Sequence, residues 1–217
     1  MLASALTFDK HTCNTYLKSY GVNVADSVML IRGMAYDVNE IINEVGLPCF
    51  VKPNAEGSSF GVTKVKEAAQ LEDALKKAFA LCQEVLIETF IDGTELTCGV
   101  VKAGDMDIAM PIAEVIPKNE FFDFEAKYDP TKSDEIIPAR ISPELTNRIK
   151  TLSSMIYDIL RCEGIIRVDY IVRDDEIFML EVNTTPGMTT TSFIPQQVRA
   201  AGLDIKDVMT DIIENKF

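Results

Sequence analysis

Two runs near the end of the chain constrain the fold more than any other segment. They are Ile165-Ile166-Arg167-Val168-Asp169-Tyr170-Ile171-Val172 and Ile177-Phe178-Met179-Leu180-Glu181-Val182-Asn183, on either side of Asp174-Asp175-Glu176. Both are rich in β-branched and aromatic residues, which predicts an antiparallel hairpin. One register pairs Val168 with Val182, Tyr170 with Leu180 and Val172 with Phe178, giving one wholly apolar face. The same register sets Asp169 opposite Glu181 and Arg167 opposite Asn183. Directly opposed carboxylates repel unless a cation sits between them. Oxygen ligands from Asp169, Glu181 and Asn183 suit magnesium completed by water and phosphate; an exposed acidic face is the other reading of the same residues.

Around this hairpin, strands and helices are mixed. Spacing and capping predict helices over 9–20, 37–45, 68–82 and 143–161, and another from about 205. Strands are predicted over 28–31, 49–52, 62–65, 84–91, 94–101 and 108–116. Residues 54–61 form a small-residue loop. Residues 117–138 have no clear period and read as a functional loop or disorder. Hairpins alternating with helices imply an α+β chain in two layers, and no GxGxxG follows a strand to suggest a Rossmann sheet.

Composition removes several classes of function. Hydrophobic residues make up 47% and charged residues 25% of 217 positions, the balance of a globular protein. The net charge of −13 argues against nucleic acid or an anionic membrane as partner. No apolar run approaches the ~20 residues of a membrane span. The apolar start, Met1 to Leu6, lacks the basic flank of a secretory signal. Five scattered cysteines without a CxxC point to reduced thiols and a cytoplasmic location. With His11 as the one histidine, cysteine-nucleophile and charge-relay chemistry are disfavoured.

Five segments together carry a resemblance. Lys52-Pro53, Glu56-Gly57-Ser58-Ser59-Phe60-Gly61, Asp123-Phe124-Glu125-Ala126-Lys127-Tyr128, Arg167-Val168-Asp169 and Glu181-Val182-Asn183-Thr184-Thr185-Pro186-Gly187-Met188-Thr189 resemble, in order, the motifs of D-alanine–D-alanine ligases of the ATP-grasp superfamily. The resemblance covers essentially the whole chain but only about the last two thirds of the family's architecture. The family's amino-terminal domain, which supplies an acidic residue for the first D-alanine, has no counterpart. The chain is therefore expected to be a shortened form. The implied fold is two α+β subdomains, residues 1–95 and 96–217, whose antiparallel sheets grip a nucleotide between them.

The resemblance also implies roles. Lys10 and Lys52 would contact the α/β-phosphates, with the 56–61 loop folded over them. Glu88 and the backbone of Phe90 and Ile91 would meet adenine, Glu95 the ribose, and Phe121 would pack on the base. The family often has Lys where this chain has Thr89. Residues 117–138 would form a lid that excludes water, with Lys127 reaching the γ-phosphate, Tyr128 closing over substrate and Ser58 anchoring the lid. Tyr128 favours D-alanine over D-lactate as acceptor. Asp169, Glu181 and Asn183 would hold two magnesium ions, for which manganese could substitute. Arg167 and the Gly187 N–H would stabilise a tetrahedral oxyanion. Ser192 and the backbone of Phe193 would hold the second substrate's carboxylate.

The implied reaction is an ATP-dependent, ADP-forming ligation of two D-alanines through a D-alanyl phosphate, supplying a peptidoglycan precursor. Partners are then ATP and D-alanine, and a homo-oligomer is left open. Two rivals stand beside it: another ATP-grasp carboxylate–amine ligase, such as one using L-amino acids, and a nucleotide-binding fragment without catalysis.

Overall fold

The computed structural model describes residues 2–57, 61–117 and 133–216. Two helices open it, α1 (Leu2–Phe8) and α2 (Lys10–Lys18), the second capped by Asp9. Then come β1 (Ser27–Ile31), α3 (Val38–Val45), β2 (Cys49–Pro53), β3 (Thr63–Val65), α4 (Leu71–Leu81) and β4 (Glu84–Thr89). The second half holds β5 (Thr94–Ala103), β6 (Met106–Ala109), β7 (Ala113–Pro117), β8 (Ser133–Ile136), α5 (Pro143–Ile159), β9 (Gly164–Arg173), β10 (Glu176–Asn183), α6 (Phe193–Ala200) and α7 (Ile205–Glu214). The chain divides into two compact units, one of residues 8–92 and one that joins 93–116 and 134–217 with the first seven residues.

In the unit of residues 8–92 the strands run in the order β1-β4-β2-β3, all antiparallel. Side chains alternate across each strand, so Cys49, Val51, Val85 and Ile87 share one face. Ile41 and Val45 of α3, with Leu71, Ala74, Leu75 and Ala78 of α4, bury that face. The α4 residues fall at helical i, i+3, i+4, i+7 spacing. Asp37 starts α3 by accepting from the Asn39 and Glu40 N–H groups at 2.7 and 3.3 Å. The opposite face carries Phe50, Lys52 and Glu88.

The second unit is a sheet ordered β10-β9-β5-β7-β8, with β6 also paired to β5. One face turns Tyr170, fully buried, toward α5, where its hydroxyl shares a 2.7 Å hydrogen bond with Ser153. The other face packs Val101 and Ile165 under Ile194, Val198 and Val208 of α6 and α7. Beyond those helices the same face carries Thr97, Arg167, Asp169, Glu181 and Asn183.

Three sequence expectations need correction. The strand predicted over 108–116 is two strands, because Met110 donates to the Gly99 carbonyl and Pro111 has no N–H to continue a ladder. The stretch predicted to be irregular contains β8, and α1 and α6 were not foreseen. In the hairpin, the pairs at the Asp169 end hold, but Leu180 is an extra residue, and beyond it Tyr170 pairs with Met179 and Val172 with Ile177. This β-bulge flips the alternation: Ile177, Met179 and Val182 are buried, not Phe178 and Leu180. Among the described residues no helix is long and apolar enough to cross a membrane.

Gly93 leads into β5 with its Cα against β9. A methyl group there would lie 2.3 Å from the Val172 carbonyl oxygen, which is backbone and cannot swing aside. Gly93→Ala should lower stability by about 1–3 kcal/mol, the range of an overpacking change, in a urea titration. A second device in this unit depends on pH. Glu114 on β7 accepts from the Arg140 N–H at 3.1 Å, from Nε at 3.0 Å and from Nη2 at 2.7 Å. Those bonds hold the Glu114 carboxyl below its usual range, against the opposing effect of burial. A carboxyl lowered by folding stabilises above its unfolded pKa and loses that contribution as pH falls through the folded value. Arg140→Met should therefore melt below the wild type at pH 7, and the gap should close on acidification below about pH 4.5, the unperturbed value.

Candidate functional site: two polar sheet faces

In the unit of residues 8–92, strand alternation leaves Lys52 beside Glu88, since Phe50 is the cross-strand partner of Glu88. Lys52 and Glu88 form an ion pair whose side chains are only 15% and 7% exposed. Asn14 of α2 adds a 3.4 Å hydrogen bond to the same carboxylate. Phe90 meets Phe50 edge-to-face at 5.7 Å, and the Lys64 ammonium lies 3.6 Å from the Phe90 ring centroid. Two cations, two aromatic rings and one carboxylate thus share this side of the sheet. The Phe90 N–H donates to the Pro48 carbonyl, and Ile91 is buried. Lys10 donates to the carbonyls of Asn54, at 3.4 Å, and Glu56, so it sits against the start of the small-residue loop. Thr89, where the family often has Lys, donates to the Val45 carbonyl at 2.7 Å and ties β4 to the end of α3.

In the other unit the hairpin supplies the polar face. Asp169 stands opposite Glu181 and Arg167 opposite Asn183. Arg167 grips Asp169 with both arms, Nε to Oδ1 at 2.8 Å and Nη2 to Oδ2 at 2.9 Å. The Asn183 amide donates to Asp169 Oδ2 at 3.1 Å and to Glu181 Oε1 at 3.5 Å. Burial opposes the charge on Arg167, yet Asp169, Glu181 and Glu95 around it hold its pKa above the ordinary value. Glu95 and Thr97 lie on β5, and Thr97 is the cross-strand partner of Asp169. The Arg167 guanidinium also sits 5.6 Å from the centre of the Phe193 ring at the start of α6. Ser192, the N-cap of α6, uses its hydroxyl on Thr189: it accepts from the N–H at 3.2 Å and shares a 2.8 Å bond with Oγ1. A methyl on Gly187 would come 2.8 Å from that hydroxyl, so glycine lets the 183–192 turn close on Ser192.

The donor set fits magnesium. Two carboxylates and one amide on facing strands are all hard oxygen ligands, and among the described residues no group of three His, Cys, Asp or Glu side chains is placed to hold a metal ion. A set that small suits an ion that keeps water and phosphate in its shell. The Asn183 amide now turns its NH2 toward the carboxylates; a half-turn would present its oxygen alongside theirs. Ser58, Phe121, Lys127 and Tyr128 lie outside the described residues. Thr97, whose hydroxyl meets Asp169, is not among the residues singled out from the sequence. Its signal was there, since Glu95 and Thr97 interrupt an apolar strand with the spacing that singled out Glu181 and Asn183. Burial pushes the thiols of Cys49, Cys98 and Cys162 up to about 11, so they are protonated at neutral pH.

Comparison with known proteins gives the family. A solved D-alanine–D-alanine ligase from Bacillus anthracis superposes with a TM-score of 0.84 at 32% identity, over 99% of this chain and 68% of that one. Its structure complexed with ATP gives the same score at 30% identity. The VanG D-Ala:D-Ser ligase from Enterococcus faecalis also scores 0.84, at 34% identity over all of this chain and 63% of that one. The fold is therefore the ATP-grasp fold of these ligases. The profile of the family described as "D-ala D-ala ligase C-terminus" matches residues 16–214. The D-alanine–D-alanine ligases of Bacteroides fragilis and Bacteroides thetaiotaomicron are 61% and 62% identical over all of this chain and 67% of their own length. The chain belongs to the D-alanine–D-alanine ligase family and spans about two thirds of the length of these relatives.

Removing one partner of a buried pair strands the other charge. Lys52→Met should cost about 3–5 kcal/mol in urea unfolding, and adding Glu88→Gln should recover most of that loss.

Proposed function

We propose that this chain carries the ATP and metal sites of an ATP-dependent D-alanine–D-alanine ligase, acting through a D-alanyl phosphate for peptidoglycan precursor synthesis. The observation that carries the reading is the Arg167, Asp169, Glu181 and Asn183 constellation on the hairpin, in a chain so close to ligases of that name. The two units then correspond to the central and carboxy-terminal halves of the grasp.

Each residue's part follows from its surroundings. Lys52, held by Glu88 at the end of a strand, and Lys10, held against the loop, are cations fixed in position for nucleotide phosphates. Asp169, Glu181 and Asn183 would hold magnesium, which neutralises phosphate oxygens when bound. Arg167 stays charged beside Asp169, a donor aimed where negative charge develops as the second substrate's amine attacks the acyl carbonyl. The Gly187 N–H complements it. Ser192 and the first N–H of α6 suit the carboxylate of the second amino acid. Most of the catalytic effect would come from positioning and charge neutralisation.

Calorimetric titration with ATP, with and without magnesium, tests this. Magnesium-dependent binding should appear in the wild type and weaken more than about tenfold in Glu181→Gln; equal binding by that variant would sink the metal assignment. The chain's length relative to its relatives favours one second reading, a nucleotide site without turnover. Phosphate release from ATP that depends on D-alanine separates the two. Supplying D-alanine, D-serine and L-amino acids and identifying the dipeptide then fixes the substrate class.

A further inference from the structure

Thr97 lies mid-strand on β5 and is 2% exposed, a place where valine would fill the space equally well. Its hydroxyl is 2.5 Å from Asp169 Oδ1 and 3.4 Å from the Val168 carbonyl. One hydroxyl has one hydrogen to give, and the shorter distance and the negative charge direct it to Asp169. A β-branched side chain has a restricted χ1, so the donor is held in place by its own strand.

The strand is in turn held from the other side. Gln197 of α6, fully buried, donates one amide hydrogen to the Thr97 carbonyl and the other to the Pro111 carbonyl, both at 2.9 Å. Its Oε1 finds no partner among the described residues, so the amide is turned for donation alone. Gln197 therefore fixes the backbone of Thr97 and the junction between β6 and β7.

Asp169 is thus approached from three directions. Oδ1 accepts from Thr97 and from Arg167 Nε; Oδ2 accepts from Arg167 Nη2 and from Asn183. The terminal torsion of a carboxylate is soft and two-fold, so these donors decide which way the group faces. Arg167 and Asn183 sit on the hairpin with Asp169, whereas Thr97 belongs to a different strand pinned by a helix. We propose that Thr97 is a positioning residue that fixes the rotation of the Asp169 carboxylate, holding Oδ1 toward β5 and so turning Oδ2 to Asn183, on the strand that also carries Glu181, ready for a divalent cation. This rests on the reading of Asp169, Glu181 and Asn183 as the metal-holding set. Hydrogen-bond partners of ligating carboxylates commonly change metal affinity 10–100-fold.

The test is a manganese titration in the presence of ATP, followed by the loss of the free-ion electron paramagnetic resonance signal. It uses wild type, Thr97→Val, Thr97→Ser and Glu181→Gln, each with a melting curve in chelator. Thr97→Val should bind manganese about tenfold or more weakly, while Thr97→Ser, which keeps the hydroxyl, should stay near wild type. Wild-type affinity in Thr97→Val would overturn the proposal. So would a Thr97→Ser variant as weak as Thr97→Val, because packing of the side chain would then be the cause. Wild-type affinity in Glu181→Gln, or no manganese binding by the wild type, would overturn the metal reading itself and this inference with it.

Discussion

The fork of Arg167 on Asp169 is the contact from which the hairpin's geometry follows. It brings a guanidinium between strands that also carry Glu181 and Glu95, and so makes a cluster of carboxylates tolerable on one half-buried sheet face. Without a cation there, Asp169 and Glu181 would oppose each other across β9 and β10 with only neutral donors, the Asn183 amide and the Thr97 hydroxyl, to offset their repulsion. Register, bulge and the approach of α6 all serve to keep that arrangement. Arg167 is bonded to a carboxylate on one side and faces the Phe193 ring on the other.

The other unit solves a similar problem with the signs reversed. A chain of net charge −13 concentrates Lys10, Lys52 and Lys64 near one sheet face and keeps each in company: carbonyls for Lys10, Glu88 for Lys52, the Phe90 ring for Lys64. Such cations have already lost much of their side-chain freedom, so an arriving anion would meet ordered charge. The acidic remainder of the surface discourages extended polyanions.

Much of this was legible in the sequence, and the exceptions have physical causes. The pairing of Asp169 with Glu181 could be read because polar residues punctuate apolar strands there and admit one register. Every residue from Ile177 to Leu180 is apolar, so both phases read equally well and only burial in the folded sheet distinguishes them. Helix α6 was hidden by Pro195, which reads as a breaker although the first turn of a helix tolerates it. Thr97 is marked in the sequence only as a polar interruption of an apolar strand, and its partner lies 72 residues away; Gln197 has no such mark, and its contact with Thr97 spans 100 residues.

Strand β10 ends its sheet among the described residues, which gives the bulge at Leu180 a second meaning. A terminal strand is a template on which another chain can add, and the flat, uncharged ones are the most hospitable. Here an extra residue kinks the strand midway, and Glu181 places a negative charge immediately after the kink. The kink and the charge together make this margin a poor seed for fibrillar stacking. Leu180 and Glu181 thus set the register of the hairpin and guard its edge at the same time.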